Sequence, residues 1–131
     1  MDAWNYELPP ALAAVRPAAT SFREWAAGFA PDAAAADCEV ALVEACNNLI
    51  AHNPASRAMI SLRAEATPFD LCLIIRDTTH GFEWPREPKL PPPDAECGRG
   101  IFLIHTLMTQ VEYQRASNGA RGNQLLLRRR L

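Results

Sequence analysis

Val43-Glu44-Ala45-Cys46-Asn47-Asn48-Leu49-Ile50-Ala51-His52 is the stretch on which the reading of the whole chain turns. At about 100° per residue, Leu42, Val43, Cys46, Leu49 and Ile50 fall on one side of a helix, and Glu44, Asn47, Asn48 and His52 on the other. The apolar side should pack on a sheet, and the polar side is left for solvent or a ligand. Glu44 and Asn48 stand four positions apart, so a carboxylate and a carboxamide converge on one small volume. A carboxylate there can take a proton from water or a hydroxyl. An amide oxygen is a hard, neutral ligand for Mg2+, an ion that also binds substrate phosphates. Taken alone, the same residues are common on a solvated helix face, and that is the plainer reading.

Working outward, the helix reads from Ala33 to His52, with Asp32 as its N-cap and Asn53-Pro54 as its stop. Upstream, Ala3–Leu8 reads as an edge strand with Trp4 and Tyr6 on one face. Ala11–Phe29 reads as an Ala-rich helix that Pro17 kinks or restarts. Downstream, Ile60, Leu62 and Ala64 alternate with Ser61, Arg63 and Glu65, which is the pattern of a half-buried strand over Met59–Glu65. Phe69–Arg76 holds the run Leu71-Cys72-Leu73-Ile74-Ile75 of a central strand. Pro85, Pro88, Pro91, Pro92 and Pro93 then mark an irregular loop, long enough to be either functional or disordered. A helix from Ile101 to Thr109 follows, then strands Val111–Arg115 and Asn123–Arg129 joined by a hairpin at Asn118-Gly119. This order predicts an α/β (α+β) fold: a two-layer sandwich with a mixed, mostly antiparallel sheet and helices on one face. One domain spanning residues 1–131 is expected.

Composition narrows the function classes. A net charge of −2 gives no electrostatic case for nucleic acid, and Arg128-Arg129-Arg130 reads as a solvated strand end. No stretch approaches the roughly 20 apolar residues of a membrane span, and no basic-then-apolar leader is visible at the start. Cys38, Cys46, Cys72 and Cys97 show no C-x-x-C pairing, so disulfides and zinc are poor readings and a cytoplasmic protein is expected. P-loop and dinucleotide-fold readings lack their glycine-rich phosphate cradles.

Two further clusters carry chemistry. Asp77-Thr78-Thr79-His80-Gly81 leaves the buried strand. A carboxylate there can accept a hydrogen bond from an exocyclic amine, and Gly81 lets the backbone approach a flat ligand. An ordinary Asp-Thr turn is the alternative. Gly98-Arg99-Gly100 opens the last helix, where free N–H groups and the helix dipole favour an anion. A plain loop-to-helix junction is the alternative.

Together the three clusters bring a family into view. Val43–His52 resembles the N box of GHKL ATPases, the superfamily of gyrase, heat-shock chaperones, histidine kinases and MutL, and looks most like its anti-sigma-factor serine kinases. Arg76–Phe82 resembles the G1 box, Gly98–Ile104 the G2 box and Gly122–Leu127 the closing strand, so the resemblance runs from about Tyr6 to Leu131. It implies the Bergerat fold, with ATP and Mg2+ as cofactors. Glu44 would be the general base and Asn48 the Mg2+ ligand. Asp77 would read the adenine amino group and Gly81 line the base pocket. Gly98, Arg99 and Gly100 would contact phosphates, His52 would lie near them, and Glu83–Cys97 would form a closing lid. Three departures stand out. Thr79 replaces the first glycine of D-x-G-x-G, which predicts a narrower adenine pocket or weaker binding. Gln124 stands where a small hydroxyl residue is common on the adenine side, and Thr109 where Asp is common. The implied function is a serine kinase that phosphorylates a STAS-domain anti-anti-sigma protein and sequesters a sigma factor or similar regulator, as a homodimer. A non-catalytic nucleotide-dependent binding module is the alternative, and a histidine-kinase catalytic domain ranks third.

Overall fold

Alternation along four central segments sorts their side chains into two layers. In the computed structural model, which describes residues 3–85, 89–92, 99–116 and 122–131, the strands are β1 Ala3–Leu8, β2 Ile60–Ala66, β3 Asp70–Asp77, β4 Gln110–Gln114 and β5 Asn123–Arg130. They form one five-stranded sheet in the order β1-β2-β3-β5-β4, and each neighbouring pair is antiparallel. The helices are α1 Val15–Ala26, α2 Asp32–His52 and α3 Arg99–Leu107, with α2 packed between the other two. This is the expected two-layer sandwich, with helices on one face.

The core lies between α2 and the sheet. Cys38, Leu42, Cys46 and Leu49 meet Leu62, Leu71, Leu73, Ile75, Leu125 and Leu127, all buried. Burying one such leucine stabilises the fold by about 1.5–3 kcal/mol. Val43 and Ile50, expected in the core, are only half-buried, and Ala41 and Ala45 take the inner positions. Alanines there let α2 lie close against its neighbours. Trp4 of β1 meets Phe22 of α1 edge-on at 5.5 Å and donates its indole N–H to Ser21 Oγ at 3.0 Å.

Two local expectations are corrected. Asp32 is not the cap of α2: Pro31 holds that place without a side-chain bond, and Asp32 is the first helical residue, pairing with Arg23 at 2.6 Å. An acidic group in a first turn is favoured by the helix dipole without capping it. Pro17 does not kink a helix. A 3-10 turn at Leu12–Ala14 precedes α1, and Pro17 sits in the first turn of α1, where its missing N–H costs no intrahelical bond. The hairpin at Asn118-Gly119 lies outside the described residues. At the chain end Arg129 pairs with Asp37 at 3.0 Å and Arg128 with Asp70 at 3.5 Å, as befits a solvated strand end. Among the described residues no helix is long and apolar enough to cross a membrane.

The topology decides what reaches the site. Inward alternation of Leu71, Leu73 and Ile75 carries Asp77 to the helix side at the end of β3. Antiparallel pairing with β5 sets Asn123 opposite it.

Candidate functional site

Asp77 and Asn123 are the buried polar residues among those described, at 6% and 1% exposure. A polar group so placed must find partners, and these two supply each other. Asp77 Oδ1 accepts from Asn123 Nδ2 at 2.9 Å, from the Thr79 N–H at 2.9 Å and from the Thr79 hydroxyl at 2.5 Å. Asn123 also donates to the Thr79 carbonyl at 2.9 Å and accepts from the Ala116 N–H at 2.8 Å. Asp77 Oδ2 accepts nothing among the described residues. One oxygen is thus fixed by three donors, and the other is left to take a donor from outside.

Thr79 therefore does not obstruct the slot beside Asp77. Its hydroxyl and N–H clamp the carboxylate, and its Oγ1 also accepts from the Gly81 N–H at 3.2 Å. Gly81 has φ +71°, and a Cβ there would lie 2.7 Å from both Asn123 Oδ1 and the Tyr113 hydroxyl, so only glycine fits the turn. The slot is narrow for another reason. Phe82 and Trp84, with Tyr113 of β4, crowd the space bounded by Ala45, Leu49, Ile75, Asp77 and Leu125, leaving a cavity of about 20 Å³.

The second cluster lies along α2. Glu44 and Asn48 come together as their spacing requires, and the first turn of α3 sits on them. A Cβ on Gly100 would approach Glu44 Oε2 to 2.7 Å and Asn48 Nδ2 to 3.1 Å. Both side chains are half-buried, and neither has a hydrogen-bond or ion-pair partner among the described residues. Arg99 is exposed and donates to the Pro92 carbonyl at 3.2 Å. Gly98 lies outside the described residues, as do residues 86–88 and 93–97 of the expected lid. His52, one turn past Asn48, is exposed and stacks on Phe82 at 5.1 Å. It joins the Asp77 side through that ring.

Gln124 does not reach the Asp77 side. It points to the outer face of the sheet, where it accepts from Arg76 at 2.9 Å, and Asn123 is the residue that faces the carboxylate. The inward set Leu125, Leu127 carried that signal, since a period of two puts Asn123 with them. Tyr113 follows from Val111 by the same rule. Phe82 and Trp84 stand in irregular chain, where no periodicity marks them. Thr109 acts in the backbone: its Oγ1 accepts from the Arg130 N–H at 2.8 Å.

The chemistry left open is that of carboxylate, amide and backbone N–H. Burial pushes the Cys38 and Cys46 thiols up to about 12 and raises that of Cys72, so none is a poised nucleophile, and all three are free thiols. Burial also raises the pKa of the Tyr113 phenol, whose oxygen accepts from the Phe82 N–H at 3.3 Å. Among the described residues no three of His, Cys, Asp and Glu gather as a metal site. A Mg2+ ion held chiefly by phosphates and one side chain needs no such cluster. The donor set suits a nucleotide: an unpartnered oxygen on a largely buried carboxylate for a base amine, a free carboxamide, and glycine-permitted contact at a helix start.

Comparison with known proteins agrees. The model of the histidine kinase-like ATPase domain matches residues 8–129. No curated protein matches the chain. Among solved structures, the crystal structure of the RsbU and RsbW domains of Rv1364c from Mycobacterium tuberculosis is similar, with a TM-score of 0.69 and 20% identity over 100% of this chain. The chain spans 32% of that protein's length, and the likeness is one of fold. By the extent of the family match, the chain belongs to the histidine kinase-like ATPase family.

Proposed function

We propose that this chain is an ATP-dependent serine kinase of the anti-sigma type, acting in the cytoplasm as a single ATPase domain. It would phosphorylate a STAS-domain antagonist and sequester a sigma factor or a similar regulator, as a homodimer. The observation that carries the nucleotide reading is Asp77, which lines the slot with Oδ1 held by three donors and Oδ2 without a partner among the described residues. That arrangement fits an exocyclic amine. ATP with Mg2+ supplies the transferable phosphoryl group and the charge neutralisation on which such transfer depends. Asp77 holds the base, and Gly81 keeps its rim free of a side chain. Asn48 holds the metal. Arg99 and Gly100 meet the phosphates at the start of α3. Gly98, which precedes them in the sequence, contacts the phosphates too, and His52 stands at the edge of the site. Glu44, on the same helix face as Asn48, takes the proton of the incoming serine hydroxyl.

The test is a transfer assay on STAS proteins of the same genome. Glu44→Gln should keep nucleotide and partner binding but lose roughly 10²–10⁴-fold in rate, as removal of a general base does. Its complex with the STAS protein should then persist in ATP. Equal rates for wild type and Glu44→Gln would sink the catalytic assignment. The second reading, a binding module that transfers nothing, is favoured by the crowding of the slot to about 20 Å³. Absence of transfer by the wild type to every candidate would make it the better one.

A further inference from the structure

The space beside Asp77 is filled by Phe82, Trp84 and Tyr113, and these pack with His52 and His105 into one aromatic cluster drawn from four separate elements. Phe82 and Trp84 come from the chain leaving β3, Tyr113 from β4, His52 from the end of α2 and His105 from α3. Phe82 stacks on His52 at 5.1 Å and 18°, and on Tyr113 at 5.2 Å and 30°. Trp84 stacks on Tyr113 at 5.4 Å and 25°. Near-parallel faces at such spacing are how flat rings pack on one another, and a nucleobase packs on aromatic side chains in the same way. The remaining cavity of about 20 Å³ holds one water at most, whereas small-molecule pockets run to roughly 300–1,000 Å³. A base therefore enters only where a ring leaves.

Trp84 is the ring whose hydrogen bond runs to α3. Its indole N–H donates to His105 Nε2 at 2.8 Å, which requires a neutral imidazole with its proton on Nδ1. His105 sits on α3, and the same helix lays Gly100 against Glu44 and Asn48. One hydrogen bond thus joins the ring in the base slot to the helix that covers the catalytic face. On the reading of this site as a nucleotide site, we propose that Trp84 is a resident occupant of the base slot, latched by His105, and that a purine nucleotide binds by displacing it. Displacement breaks the latch, and so frees α3 from the chain after β3 at the moment the slot is filled.

The latch can be tested on the full chain labelled with 5-fluorotryptophan, which gives signals from Trp4, Trp25 and Trp84, the last identified by Trp84→Phe. Adding ADP with Mg2+ should shift the Trp84 signal and increase its solvent isotope effect, leaving Trp4 and Trp25 in place. His105→Phe keeps a ring in the helix but removes the acceptor. It should deshield Trp84 in nucleotide-free protein and tighten ADP binding by about 3- to 10-fold, the equivalent of one hydrogen bond no longer opposing entry. Trp84→Ala should tighten binding at least as much. A Trp84 signal unmoved at saturating ADP would overturn the displacement, as would His105→Phe and Trp84→Ala binding no tighter than wild type while folded. A Trp84 signal unchanged by His105→Phe without nucleotide would overturn the latch alone. Failure of all three proteins to bind ADP would overturn the nucleotide reading itself and the displacement with it, a result distinct from binding that is equal in all three.

Discussion

Asp77 commits Oδ1 to the fold, through Asn123 and Thr79, and leaves Oδ2 without a partner among the described residues. Asn123→Ala should therefore do two things. It leaves the Ala116 N–H and the Thr79 carbonyl without a partner, which should cost about 1–3 kcal/mol in urea denaturation. It also lets the carboxylate rotate, so nucleotide affinity should fall while the rate of transfer from bound nucleotide changes little. An Asn123→Ala protein as stable as wild type would contradict the network. Gly81 is the second sensitive position. At φ +71°, with a Cβ only 2.7 Å from two oxygens, Gly81→Ala should lower stability by at least about 1–2 kcal/mol, the usual cost of a side chain in the left-handed region. The Asp77–Asn123 pair should loosen with it.

At the scale of elements, most of the architecture was legible because its signals are periodic. The strand alternation at Ile60, Leu62 and Ala64 and the helical face at Leu42, Cys46 and Leu49 each needed only a repeat of two or 3.6 to be read. The strand reading on Phe69–Arg76 stops one residue short of Asp77, which is the last residue of β3 and lies in the inward layer with Leu71, Leu73 and Ile75; the i, i+4 spacing brings Glu44 to Asn48. What stayed hidden has no period. Phe82 and Trp84 lie in irregular chain, and their packing on Tyr113 and His105 depends on tertiary approach alone. Likeness to a family pattern points to Gln124 on the adenine side, whereas alternation from Leu125 and Leu127 points to Asn123. The contact between elements also sets a pH dependence. Burial lowers the pKa of His105 beneath its ordinary 6.5, so the folded protein holds the neutral ring that accepts from Trp84. Stability from this contact is present above pH 6.5 and is lost as pH falls through the lowered value, because the unfolded chain takes up the proton first. The midpoint of urea unfolding should fall more steeply below pH 6.5 in wild type than in His105→Phe. Parallel curves would contradict that role. Within the sheet, Leu73→Ala should cost about 2–5 kcal/mol, since Leu73 is fully buried on the central strand and its loss leaves a cavity.

Across the whole molecule, an antiparallel sheet carries three helices on one face, and the two polar clusters open between those layers. Fold and site are joined there: β3 and β5 fix Asp77, α2 fixes Glu44 and Asn48, and the first turn of α3 lies against Glu44 and Asn48. The family match over residues 8–129 covers all of these elements except most of β1. The central claim is that the Asp77 slot takes the base of an adenine nucleotide. Calorimetric titration of the full chain with ADP and Mg2+, wild type against Asp77→Asn, tests it most directly. Replacing one carboxylate oxygen by an amide removes a hydrogen bond to a charged group, about 1.5–3 kcal/mol, and hence roughly 10- to 150-fold in affinity. The account predicts one saturable site in wild type and that loss in Asp77→Asn. No binding by wild type at millimolar ADP, or equal affinity in the two proteins, would contradict it.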